Sequence, residues 1–191
     1  MRSIHVLSIA VVFLTGSLHA QNAARTLEWA RENIDAHAVT HHLEPPAKIS
    51  GAKWEVVRIE GCTVELKQTL HREAPDAVVK GDGVFGFSED KVVTWTFALS
   101  SLRPHFVMVD TSTGFAHVQI FAEGDAFQLK TESTSRLLNK DGTIESTSVW
   151  SNTGNARNLL MYFDSPKTDN KVVVRRIGSD LKMAVAQCSQ S

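Results

Sequence analysis

Cysteine is almost absent from this chain: Cys62 and Cys188 are the only two in 191 residues. With no C-x₂₋₄-C pair, nothing resembles the close thiolate pairs of structural zinc sites. An excess of either charge is also lacking. Twenty Lys and Arg stand against 21 Asp and Glu, which excludes the basic footprint of a nucleic-acid binder and the acidic tail of a polyanion. No G-x-S-x-G stretch occurs, so a serine-hydrolase elbow is unsupported. The one long apolar run, residues 4–14, falls short of the ~18 residues that span a bilayer. What remains is 191 residues, 42% of them hydrophobic, enough for one ordinary globular domain and marginal for two.

The apolar run has a context. "MRSIHVLSIAVVFLTGSLHA" begins with one Arg, continues through a short apolar block and ends in small and turn-forming residues at Ala20. That is the three-part layout of a secretory signal peptide, with cleavage expected near Ala20 or Ala23. The competing reading is a transmembrane anchor, for which the block is too short. No Cys follows it, as a lipoprotein requires. Loss of residues 1–20 removes Arg2 and no acid, leaving 19 basic residues against 21 acidic ones. The expected location is exported, periplasmic or extracellular, with no membrane span after cleavage.

Export bears on the two cysteines. In an oxidising compartment an even count with no remainder favours a bridge. A catalytic thiol needs a His-paired, electropositive pocket, and an unpaired one is a liability there. Cys62 and Cys188 are therefore expected to form a structural disulfide.

The mature chain opens with "RTLEWARENIDAHAVTHHL". Its apolar Leu27, Ala30, Ile34 and Ala38 have helical spacing, and Pro45-Pro46 ends the segment. The pattern then becomes β. Cys62, Val64 and Leu66 share one parity, and Gly61 before them reads as a bulge or bend. In "KVVTWTFALS", Val93, Trp95, Phe97 and Leu99 alternate with Thr94 and Thr96. Segments 105–110, 115–121, 126–134, 143–151 and 157–163 continue the rhythm. "AEGD", "NKDG" and "NTGN" separate them as turns. Residues 71–90, with one Pro, three Gly and five acids, read as a long connection. The end is helical: Ser165 suits an N-cap, Pro166 the first turn, and Val173, Ile177, Leu181, Ala184, Val185 and Cys188 form an apolar stripe.

Strands that follow one another without intervening helices predict an antiparallel meander. The expected fold is mainly β (α+β), with seven or eight strands in a bent sandwich or open barrel. An N-terminal helix and a C-terminal amphipathic helix complete it. The domain plan is a signal peptide over 1–20, an N-terminal helical segment over 21–46, and one β domain over 47–191 closed by the last helix. In order and count of elements, residues 53–188 resemble the pleckstrin-homology-like architecture, which implies a final helix plugging one end of the sandwich. The Trp54-x-Val56, Gly61-Cys62 and late-Cys pattern also resembles uncharacterised small exported bacterial proteins. Neither resemblance carries a functional residue.

Four stretches invite a chemical reading. "GDGVFG" matches the dinucleotide fingerprint in letters, but it leads into a strand, where the fingerprint must open a helix, so no cofactor is expected. His37 and His41 share a face at helical spacing and suit a metal ion, with His42 or Glu44 as a third ligand. They lack the internal Glu of a metalloprotease motif, and a solvated polar face is the commoner explanation. His105 and Asp110 join serines in triads only on paper. Trp150 and Phe85 are candidate ligand contacts, the latter because it lies in the 71–90 segment. The leading reading is an exported, non-enzymatic binding or interaction module for a protein or small-molecule partner, with no role for nucleic acid. The alternatives are a small metal-dependent or hydrolytic envelope enzyme using the N-terminal histidines, or a purely structural envelope protein.

Overall fold

A computed structural model describes residues 4–39, 48–80, 83–111, 116–163 and 170–189 of the chain. The first element is a single helix, α1 (Ile4–His37), so the apolar block and the amphipathic segment are continuous. Among the described residues, no helix is long and apolar enough to cross a membrane. From Ala23 onward α1 turns one face to the core: Ala23, Leu27, Ala30 and Ile34 recur every three or four residues and are all buried. The helix stops at His37, short of the prolines expected to end it, because Ala38 and Val39 form a two-residue strand, β1. Pro45 and Pro46 lie outside the described residues.

Eight longer strands follow, every pairing antiparallel. They are β2 (Lys48–Glu60), β3 (Thr63–Lys80), β4 (Gly83–Ala98), β5 (Val107–Asp110), β6 (Ala116–Phe121), β7 (Phe127–Leu138), β8 (Ile144–Ala156) and β9 (Asn158–Phe163). The chain does not run as one meander. It builds β2-β3-β4, crosses through two 3-10 turns to pair β5 with β6, returns as β7-β8 beside β4, and finally inserts β9 between β1 and β6. The result is a five-stranded sheet, β2-β3-β4-β7-β8, and a four-stranded sheet, β1-β9-β6-β5, not closed into a barrel.

The inner faces obey strand alternation. Val118, Ile120, Leu159, Met161 and Phe163 of the small sheet meet Val64, Leu66, Phe97 and Phe127 of the large one in a single apolar cluster with both helices. The helical segment at 21–37 thus belongs to the same core as the sheets. Helix α2 (Asn170–Cys188) buries the whole predicted stripe, Val173 through Cys188. Residues 172–174 are helical, not an extension of a strand. Ser165 and Pro166 lie outside the described residues. Gly178 lets α2 lie against β5, since a Cβ there would overlap Val109 Cγ2.

Cys62 and Cys188 are bonded, with Cα atoms 5.8 Å apart, inside the separation a disulfide accepts. Cys62 sits beside the strand, not within it. Glu60 and Thr63 pair across a two-residue turn whose first position, Gly61, has φ +59°, as a II′ hairpin turn requires. The bridge joins that turn to the last turn of α2.

Two segments read as loops are strands. Residues 71–80 and 83–90 belong to two long paired strands: β3 and β4 pair from Thr63↔Ala98 to Lys80↔Gly83. Pro75 is accommodated because it falls in a register shift between Ala74 and Val78, where its missing N–H breaks no rung. The "NTGN" segment is likewise inside β8, paired residue by residue with β7 from Asn152↔Thr131 to Asn155↔Gln128. The turn expected at "NKDG" is present over 139–143, where Gly142 has φ +81° and Asp141 Oδ1 accepts from the Thr143 N–H at 3.0 Å.

Candidate functional site

The large sheet is longer than the core it covers. Its near half carries Val64, Leu66, Val93, Phe97 and Phe127. Its far half, built from β3 after residue 70, β4 before residue 92, β7 after residue 131 and most of β8, buries only the side chains of Ala74, Ser88 and Ser133 among the described residues. This wing has two exposed faces, and register decides which residues share each. One rung runs His71↔Asp90↔Thr134↔Val149, and the next, on the opposite face, runs Leu70↔Lys91↔Ser133↔Trp150.

The first face holds an ionic clamp. His71 Nδ1 lies 2.6 Å from Asp90 Oδ1, and Nε2 lies 3.0 Å from Glu73 Oε1. Arg136 Nη1 donates to Asp90 Oδ2 at 2.5 Å. Hydrogen bonds to Glu73 and then Asp90 raise the imidazole above its ordinary value, while Arg136 and then His71 hold the Asp90 carboxyl below its own. With both ring nitrogens on carboxylates, His71 is stabilised as a cation and has no free nitrogen with which to take a proton from a hydroxyl. Ser133 is on the other face, donating to Glu89 Oε1 at 2.7 Å. The clamp ties β3, β4 and β7 together and does not assemble a nucleophile. Glu89 and Asp90, in the segment read as a connection, are thus paired strand residues.

The two lateral edges of the large sheet differ. At the β2 edge, α1 packs alongside, Asp35 Oδ1 accepts the Val56 N–H at 2.6 Å, and the ladder shifts register twice. Such bulges, charges and covers blunt an edge against further pairing. β8 has fewer of these: its ladder with β7 shifts register once, between Leu137 and Leu138, where Glu145 is the extra residue, and runs unbroken from Ser146 to Ala156. It pairs with β7 alone among the described residues and is exposed over twelve of its 13 residues. It contains no Lys, Arg or Pro, and Glu145 is its only charge. Val149 is 76% exposed and Trp150 41%, on opposite faces of the strand, and Ile144 is 57% exposed. An edge that is regular and uncharged over residues 146–156 is a template for another strand.

Of the residues singled out from sequence, Trp150 lies at the middle of this edge. Phe85 lies near the start of β4, with its side chain outside the described residues. His37 is the half-buried last residue of α1, and His41, His42 and Glu44 lie outside the described residues. Among the described residues no group of three or more His, Cys, Asp or Glu side chains is placed to hold a metal ion. His105 stacks on Phe106 in a 3-10 turn, apart from Asp110 on β5. The sequence reading did not include the His71–Asp90–Arg136 clamp. Its one local signal is the i, i+2 spacing of His71 and Glu73, which places both on one strand face.

Comparison with protein-family models, curated proteins and solved structures finds no match to this chain.

Proposed function

We propose that this protein is an exported, non-enzymatic interaction module that adds an extended polypeptide strand to the open edge of β8. One observation carries the reading: a 13-residue strand ends the large sheet with its outer hydrogen-bonding edge unpaired among the described residues and its apolar side chains in solvent. Main-chain hydrogen bonds would supply affinity, and Val149 and Trp150 would supply contacts on the two faces. Export is supported by the N-terminal layout and by the disulfide, which an oxidising compartment maintains. Cleavage after Ala20 fits the packing better than cleavage after Ala23, because Ala23 is fully buried in the core.

A photo-crosslinking residue at position 149 in the producing cell tests the reading, with exposed Val172 on α2 as control. The expected result is a crosslink to polypeptide at 149 and none at 172, on a protein whose intact mass begins at Gln21. Equal labelling at both positions, or none at 149, refutes the edge. A retained Met1 on exported protein refutes the processing.

A further inference from the structure

We infer that the strand accepted by β8 is β8 of a second copy, so that two large sheets join across a twofold axis into one continuous ten-stranded sheet. This rests on the edge reading above and goes beyond it by naming the partner. In an antiparallel pair, opposite residues lie on the same face, so a twofold perpendicular to the sheet pairs only positions of equal parity. β8 is irregular at Glu145, so the symmetric overlap runs over Ser146–Gly154, with the axis at Trp150 setting the two exposed Trp150 side chains opposite each other. Each residue then meets the one equally far from 150 on the other chain. Trp150 faces Trp150, and the two Val149 side chains become diagonal neighbours on the other face. Both exposed apolar side chains of the strand's centre are thereby covered.

Charge agrees with this register. Glu145, the only charged residue of β8, lies at the register shift, outside the symmetric segment. No like charges oppose one another anywhere along the pair. Alternate residues present both backbone groups outward, so nine residues form about 8 to 10 hydrogen bonds between copies. The β2 edge offers no such symmetric match, because Asp35 occupies the Val56 N–H and the ladder is interrupted twice.

Sedimentation equilibrium on the oxidised mature protein, together with two variants that each add one cysteine to the bridged pair, tests the proposal. The expected species is a dimer. In Trp150→Cys, the two introduced residues sit opposite each other at about 4.5–5.5 Å between Cα atoms, within disulfide reach. Air oxidation should therefore give a covalent dimer, with a 150–150 bridge found by peptide mapping. In Ser148→Cys, the twin cysteines lie about 13 Å apart along the strands, so the same treatment should give no covalent dimer. Equal crosslinking of both variants would show random collision and overturn the register. A monomer at every concentration, with no Trp150→Cys dimer, overturns self-pairing. If position 149 nevertheless crosslinks a different polypeptide in the cell, the edge reading survives that failure; if it does not, both fall.

Discussion

Removing the Cys62–Cys188 bridge should be the most damaging small change to this fold. The bridge spans 126 positions, and the chain-entropy estimate for a loop of that length is about 5 kcal/mol, with measured disulfides more often giving about 2–4. It also pins the last turn of α2, where Ala184 and Val185 are fully buried, to the β2–β3 turn. Cys188 is itself buried, so Ala is a better replacement than Ser, which would bury a hydroxyl. For a domain of this size each kcal/mol is worth about 2–4 °C in melting temperature. The double variant Cys62→Ala/Cys188→Ala should therefore melt roughly 5–15 °C below the oxidised protein. Thermal unfolding followed by circular dichroism, run on oxidised protein, reduced protein and the variant, separates the contributions. Reduced wild type and the variant should coincide. A melting temperature within about 2 °C of the oxidised protein would refute the claim that the staple constrains the whole chain.

Other outcomes follow from packing and charge. Gly178→Val should cost about 1–3 kcal/mol in urea unfolding, because even a Cβ overlaps Val109; an unchanged midpoint would mean α2 does not lie that close to β5. His71 is raised by Glu73 and Asp90, so its contribution is complete below its unfolded value of about 6.5 and disappears as pH rises through the folded value. Asp90 is lowered by Arg136, so its contribution is complete above its unfolded value of about 3.9 and disappears as pH falls through the folded value. His71→Gln should then be less stable than wild type at pH 5 and nearly equal at pH 9, with a gap at the small scale of exposed pairs, ~0.2–1 kcal/mol; equal gaps at both pH values would dissolve the clamp. Asp180 is buried in α2, and desolvation raises its carboxyl against the opposing pull of Arg176. Its favourable contribution is lost as pH rises through the folded value, so Asp180→Asn should raise the urea midpoint at pH 7 and leave it unchanged at pH 3. A lower midpoint at pH 7 would show that the carboxylate is stabilising there.

The residues that announced their structure were those with one solvent face. The stripe Val173 to Cys188 and the alternation at Val64, Leu66 and Phe97 are visible because burial on one side imposes a period. The wing lacks that constraint. β8 is wet on both faces, so "IESTSVWSNTGNA" shows no alternation and its Asn-Thr-Gly-Asn reads as a turn. In 71–90, Pro75 and the acids carry turn chemistry, whereas the neighbouring strands supply pairing no local window can show. The clamp was hidden for a sharper reason. The pairing at Lys80↔Gly83, extended without interruption, would set His71 opposite Val92. The register shift between Ala74 and Val78 moves it by two residues and places Asp90 there. Trp150 was recognisable as a contact candidate, but its position on an open edge depends on strand order, which lies beyond pattern.

Hydrogen exchange along β8, in protein isolated from the exported fraction without unfolding, tests the edge most directly. In a free edge strand every second amide points to solvent and exchanges rapidly. If β8 receives another strand, those amides in 144–156 should be protected to the same degree as their neighbours bonded to β7. A Trp150→Asp variant should lose that protection selectively, while Phe127–Leu138 of β7 stays protected. Outward β8 amides that exchange as fast as those of the 139–143 turn, in protein never separated from its partners, would contradict the account.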